Sequence, residues 1–186
     1  MIKYDEFKEV CQRSIKMIEA AGLLLTPADK QKMTAADFGL NRIKKEGVQI
    51  LTMFQTGRIA GKILVLLPFQ TEPEHWHPTV GDDPGKEEVI RAICGDLYFY
   101  IPGENNMKKG FIVDGKEDCY TMRNEIVMAP GDQLELPAGT KHWFQAGPRG
   151  AVMYSFSTTV TDLNDQFTDP DIVRDTIIEK EPDTIK

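Results

Sequence analysis

From residue 48 to residue 157 the chain is a series of short apolar runs cut apart by glycine and proline. The runs cover 48–55, 59–67, 88–94, 96–101, 111–113, 125–128, 133–136, 142–145 and 151–157. Segments this short, with turn residues between them, predict an antiparallel sandwich or barrel. Gly57, Pro102-Gly103, Asp114-Gly115, Pro130-Gly131 and Gly147-Pro148 mark the turns. A barrel also brings residues from distant strands into one interior.

The segments outside this region read differently. Phe7, Val10, Cys11, Ser14, Ile15 and Ile18 recur at helical spacing, with Lys, Glu, Arg and Gln on the other face, and Gly22 stops the helix. Thr26-Pro27-Ala28-Asp29 opens a second helix over roughly 27–35, with Thr26 as N-cap and Pro27 at the first helical position. After residue 160 the chain is acidic and polar, and Asp169-Pro170 predicts a last short helix near 170–180. The 186 residues suit one domain: a helical extension over 1–40, a barrel over 45–160 and a tail over 161–186.

A net charge of −7 argues against nucleic acid or an anionic membrane as partner. The longest apolar run, Ile63-Leu64-Val65-Leu66-Leu67, is a buried strand rather than a membrane span. Asp5, Glu6 and Glu9 occupy the N-terminus in place of a signal-peptide apolar region. Cys11, Cys94 and Cys119 are odd in number and form no C-x-x-C pair, as expected for reduced thiols in a cytoplasmic protein. Cys94 lies in an apolar run and reads as a core residue.

Only three histidines occur, His75, His77 and His142. Residues two apart on a strand share a face, so His75 and His77 aim both imidazoles into one cavity and Trp76 points outward to packing. Neutral imidazole is the commonest protein ligand for a transition metal. A carboxylate usually completes such a set, and Glu74, Asp82, Asp83, Glu87 and Glu88 lie near. Along the following strand Lys86, Glu88, Ile90 and Ala92 share one face while Glu87, Val89, Arg91 and Ile93 share the other. The first face offers one carboxylate and one amine above apolar lining, which selects Glu88 as the fourth ligand. Trp143 and Phe144 follow His142, and one of them, Phe144 in our assignment, lines the pocket.

The stretch from His75-Trp-His77 through Glu88 to Gly95 resembles the first motif of cupins, and Gly131-(x5)-Pro137-x-Gly139-x-x-His142 matches the second in full. Relative to the usual first motif, the segment 78–87 is an insertion, expected to form a loop at the cavity mouth. Within cupins the chain resembles the D-lyxose isomerases over most of residues 40–175. The likeness is carried by Glu74-His-Trp-His-Pro78, Lys86-Glu-Glu-Val-Ile-Arg-Ala-Ile-Cys-Gly-Asp-Leu-Tyr98, Leu136-Pro-Ala-Gly-Thr-Lys-His-Trp-Phe-Gln-Ala-Gly-Pro148 and Asp165-Gln-Phe-Thr-Asp-Pro-Asp-Ile-Val-Arg174. The resemblance implies an all-β cupin, a double-stranded β-helix or jelly-roll barrel, carrying the N-terminal helical extension and the short C-terminal helix. It implies metal ligation by His75, His77, Glu88 and His142, manganese as the usual activator, and Asp165 or Asp169 closing the sugar pocket. One departure stands out. The family has an acid late in the strand that here reads Met153-Tyr-Ser155-Phe-Ser157, and this chain has none. Either another carboxylate carries the proton or the activity is altered.

An aldose–ketose isomerase of this kind interconverts D-lyxose with D-xylulose, and D-mannose with D-fructose, by moving a proton between C1 and C2. Lys86 would hydrogen-bond the developing alkoxide, and Glu88 or Glu74 would move the proton. Glu74 points away from the two histidines if its strand is regular, which makes it the weaker choice. Mn(2+) is the expected metal, with Co, Fe, Ni or Zn as alternatives, since ligand type alone does not choose among them. The same ligands could hold Fe(II) in a cupin oxygenase, and a non-catalytic sugar-binding or structural cupin is the remaining alternative. Fold analogy suggests a homodimer.

Overall fold

The computed structural model describes residues 1–158 and 162–181. Two helices precede the sheet. α1, Tyr4–Ala20, buries Val10, Cys11, Ser14 and Ile18 on one stripe, carries Asp5 and Glu6 in its first turn, and is followed by Gly22 in the left-handed region at φ 82°. α2, Pro27–Lys32, starts on a capping box: the Asp29 N–H donates to the Thr26 side chain while the Asp29 carboxylate accepts from the Thr26 N–H. It ends earlier than its sequence pattern suggests because Thr34–Ala36 leaves the helix to pair with Val48–Ile50.

Nine strands follow among the described residues: β1 Thr34–Ala36, β2 Val48–Gln55, β3 Ile59–Leu66, β4 Thr71–Trp76, β5 Glu88–Ile101, β6 Asn124–Met128, β7 Gln133–Leu136, β8 His142–Thr158 and β9 Gln166–Phe167. Their pairing is antiparallel throughout and the sheet curls on itself, as expected for an all-β cupin. β5 and β8 pair along most of their lengths and organise the curl. The second half of β8 lies between β3 and the first half of β5, and its first half between β4 and the second half of β5.

Breaks expected near residue 95 and at Gly147-Pro148 are bends instead. Gly95 at φ 89° and Gly150 at φ 70° sit against each other where the β5–β8 register shifts. A glycine can turn a strand without ending it.

The interior of the curl is apolar, with Leu64, Leu66, Ile90, Ala92, Phe99, Phe144 and Met153 in one cluster. α1 covers the outside of the sheet, packing Val10, Cys11 and Ile18 with Leu51, Ile63, Val65 and Val152. No described helix is long and apolar enough to cross a membrane.

Two expected elements do not form. Residues 111–113 are a loop within 102–123; the Glu125 carboxylate ties that loop down by accepting from the N–H groups of Lys108, Lys109 and Gly110. The C-terminal helix near 170–180 is absent too. Asp169 Oδ1 accepts from the Asp171 N–H in a turn, Val173 N–H donates to the Phe38 carbonyl, and Ile178 bridges Ile2. The β-branched Ile172-Val173 and Thr176-Ile177-Ile178 are weak helix formers, and tertiary pairing takes their backbone groups.

Candidate active site

His75 lies on β4, His77 one residue past its end, and His142 opens β8 directly opposite His75. Ligand atoms of the three lie within 4.8 Å of one another, and all three residues are buried. Each Nδ1 faces a backbone carbonyl: His75 that of Pro73 at 2.8 Å, His77 that of Lys86 at 3.2 Å, His142 that of Thr140 at 2.8 Å. The proton therefore belongs on Nδ1, and the Nε2 lone pairs are left toward the centre. Nε2 of His77 and of His142 are buried without a hydrogen-bond partner. Burial, assisted by the neighbouring imidazoles and Lys86, holds His75 well below its ordinary value and brings His77 down to about 2. Burial lowers His142 as well, against the opposing charge of Glu88. Three neutral imidazoles, two of them with a buried and unused Nε2 lone pair, fit a divalent transition metal.

Glu88, the first residue of β5, is buried, with Oε2 3.7 Å from His77 Nε2 and Oε1 accepting from the Ser155 hydroxyl. Burial pushes this carboxyl up, but Lys86, His142 and the Ser155 hydrogen bond outweigh it and hold it below its ordinary value. The neighbouring Glu87 and Arg91 are exposed on the outer face. His75 and Glu88 share a cavity of about 40 Å³ walled on its apolar side by Phe38, Val48, Ile50, Leu64, Phe144 and Phe167. Its polar lining is Lys62, Glu72, Lys86, Ser155, Asp162, Asp165 and Arg174.

Lys86 Nζ lies 3.0 Å from Asp162 and 3.8 Å from Asp165. Burial acts to lower this ammonium, yet Glu88, Asp162 and Asp165 together raise it, so it stays charged. Asp162 also takes Lys62, and these two lysines hold it well below its ordinary value against burial. Asp165 sits between Lys86 and His77, 3.9 Å from His77 Nε2, and burial pushes it up to about 7.

The assigned residues separate into two groups. His75, Lys86, Glu88, Phe144 and Asp165 line the cavity, and His77 and His142 complete the cluster at its wall. Glu74 and Asp169 are not brought there. The Glu74 carboxylate is buried and accepts from Thr121 N–H and hydroxyl, Met122 N–H and the Thr168 hydroxyl, so it fastens two loops to β4. It is therefore neither cavity-lining nor solvated. Asp169 is buried against Lys116 at 2.7 Å. Trp143 faces away from the cavity, stacked on Tyr100 at 3.7 Å between centroids, and Lys141 lies over the Trp76 ring.

Glu72, Lys62, Ser155, Asp162 and Arg174 escaped sequence reasoning as cavity residues. Glu72 does so for a geometric reason. Glu72 pairs with Phe144 and His75 with His142, so Pro73 and Glu74 together oppose Trp143 alone. This β-bulge puts Glu72 and His75, three residues apart, on the same cavity. Pro73 was the available signal, because proline within a sheet is confined to edges and bulges. Burial and the charge of Glu88 push the Glu72 carboxyl up to about 8, and its Oε2 is buried without a partner.

No protein-family model matches the chain. It is 44% identical to the D-lyxose ketol-isomerase of Cohnella laeviribosi, over 94% of this chain and 96% of the relative. It is 39% identical to the D-lyxose/D-mannose isomerase of Thermosediminibacter oceani, over 94% and 97%. Among solved structures it resembles an L-ribose isomerase of Acinetobacter sp. DL28 in complex with L-ribose, at TM-score 0.78 and 14% identity, covering 96% of this chain and 98% of that one. It also resembles a Cellulomonas parahominis L-ribose isomerase, at TM-score 0.77 and 14% identity, over 92% and 94%. At such identities the structural likeness concerns the fold.

Proposed function

The chain belongs to the D-lyxose ketol-isomerase family and is a sugar isomerase, and on that premise we propose that it interconverts D-lyxose and D-xylulose, with D-mannose and D-fructose as a slower pair. The reaction uses a divalent metal, Mn(2+) first and Co(2+) as a substitute, held by His75, His77, Glu88 and His142. The observation that carries this reading is the pair of buried, unpartnered Nε2 atoms of His77 and His142 beside Glu88 and Lys86. A bound divalent ion would supply Lewis acidity at the sugar carbonyl.

The chain's own residues do the rest. Lys86, charged and fixed by Asp162, stabilises negative charge growing on the sugar oxygens without reorganising. Ser155 orients Glu88 through its hydroxyl. Phe144, Phe167 and Leu64 exclude water from one side of the open-chain sugar, which strengthens every charge interaction on the other.

The test is a panel assay. Metal-stripped protein is given each divalent ion in turn and offered pentoses and hexoses, and ketose is measured by chromatography. D-lyxose turning over fastest, only with metal restored, is the expected result. No conversion of any aldose with any metal, or oxygen uptake with Fe(II) in its place, would sink the reading.

A further inference from the structure

Four carboxylates line the cavity, Glu72, Glu88, Asp162 and Asp165. Three of them are already committed. Glu88 faces His77 with one oxygen and takes the Ser155 hydroxyl with the other. Asp162 holds Lys62 and Lys86. Asp165 pairs with the Lys86 ammonium at 3.8 Å and stands 3.9 Å from the unpartnered His77 Nε2. Among these four, Glu72 alone presents a buried oxygen with no partner. A buried carboxylate oxygen left unpaired costs stability, and such a cost is kept where a ligand or a reaction uses the atom.

Its position suits that use. The bulge at Pro73-Glu74 turns Glu72 into the cavity alongside His75, and Glu88 and Lys86 line the same space from the start of β5 and the residues just before it. The strand segment Met153–Ser157, from which an acid could have reached this cavity, offers only the Ser155 hydroxyl there, and Glu88 takes it.

We propose that Glu72 is the catalytic residue that carries the proton between C2 and C1 of the bound open-chain sugar, an inference that rests on the isomerase reading above. In the aldose-to-ketose direction the C2–H bond breaks and its proton goes to the Glu72 carboxylate. The electron pair left behind forms the C1–C2 double bond, and the carbonyl pair withdraws onto O1 beside Lys86. Glu72 then returns the proton to C1, the O2 hydroxyl proton passes to O1, and the C2 carbonyl forms. Two protons move, from C2 to C1 and from O2 to O1, and nothing else is consumed.

The test compares wild type, Glu72→Gln, Glu72→Asp and Asp165→Asn. For Glu72→Gln, kcat on D-lyxose should fall about 100- to 10,000-fold, the span usual for a lost general base. Metal content and calorimetric sugar affinity should stay within about threefold of wild type, because a residue that acts only in proton transfer contributes little to ground-state binding. The melting temperature of the metal-free variant should not drop, since the unpaired oxygen has no hydrogen bond to lose. Glu72→Asp, which keeps a carboxylate on a shorter arm, should recover part of the rate.

Glu72→Gln turning over within fivefold of wild type overturns the proposal, as does a rate loss matched by lost metal, lost sugar affinity and lower melting temperature. So does a larger rate loss in Asp165→Asn than in Glu72→Gln. A wild type inactive on every aldose would refute the isomerase reading itself, and is thereby distinguished from these outcomes.

Discussion

Replacing Gly95 with alanine tests whether the bend shared by β5 and β8 holds the site together. Gly95 has φ 89°, where an L-residue pays about 1–2 kcal/mol of backbone strain. An alanine Cβ would also fall on the carbonyl oxygen of Gly150, and would lie 2.9 Å from its carbonyl carbon and 3.0 Å from Ala151 Cα. These are backbone atoms of a paired strand, so no side chain can swing aside and β8 itself must move. Overpacking of this kind costs about 1–3 kcal/mol. The sum is about 2–5 kcal/mol. Gly115→Ala is the control: φ is 76° there, but nothing lies within 4 Å of the added methyl, leaving only the strain of about 1–2 kcal/mol. Urea unfolding of the metal-free proteins at equal m-values reads the difference. For a domain of this size about 1 kcal/mol corresponds to about 2–4 °C, so heating should separate the two variants as well. Because β8 begins at His142 and β5 at Glu88, Gly95→Ala should also lose metal affinity while Gly115→Ala keeps it. Equal urea midpoints for the two variants would show that the Gly150 contact relaxes without cost, and that Gly95 matters only for its backbone angle.

Two further substitutions probe the cavity. Glu88→Gln replaces an anionic donor by a neutral amide and should weaken metal binding about 100-fold or more, since losing even an outer partner of a ligand costs about 10–100-fold. Glu87→Gln, on the exposed face, should leave metal content unchanged by elemental analysis, and the reverse pattern would exchange their roles. Lys86→Met should lower kcat about 100- to 1,000-fold with KM within a few-fold, as for loss of a preorganised charge donor. A raised KM at unchanged kcat would mean that Lys86 binds sugar uniformly and does not favour the transition state.

Much of this arrangement is written in local patterns. The period of two along 86–93 separates Glu88 from Glu87 correctly, and burial follows it: Lys86, Glu88, Ile90 and Ala92 are buried while Glu87 and Arg91 are exposed. The Thr26 cap, the Gly22 stop and the strand at 133–136 likewise depend on a few neighbouring residues. What stayed hidden is non-local. Asp169-Pro170 is a valid start signal for a helix, but it competes with the pairing of Ile178 to Ile2 and of Val173 to Phe38, partners more than a hundred residues away. The acidic run after residue 160 reads as solvated for the same reason. Its Asp162 and Asp165 are matched by Lys62 and Lys86, which only the curl of the sheet brings near.

The two glutamates of β4 show how far one residue of register can move chemistry. In a regular strand Glu72 and Glu74 would share a face, opposite to His75, and neither would reach the histidine cavity. The extra residue opposite Trp143 breaks that parity. Glu74, inside the bulge, is directed to Thr121, Met122 and Thr168 and fastens their two loops to β4. Glu72, before the bulge, is carried into the cavity and left with an unpaired oxygen. Proline at position 73 tolerates this because it has no N–H to offer the ladder that the bulge interrupts. A strand lacking an acid near Ser155 can thus be answered by a carboxylate from a different strand, with Ser155 free to hydrogen-bond Glu88. The structural element that decides which carboxylate faces the sugar is then the bulge, and the same two glutamates on an unbroken β4 would leave the cavity without a free carboxylate oxygen.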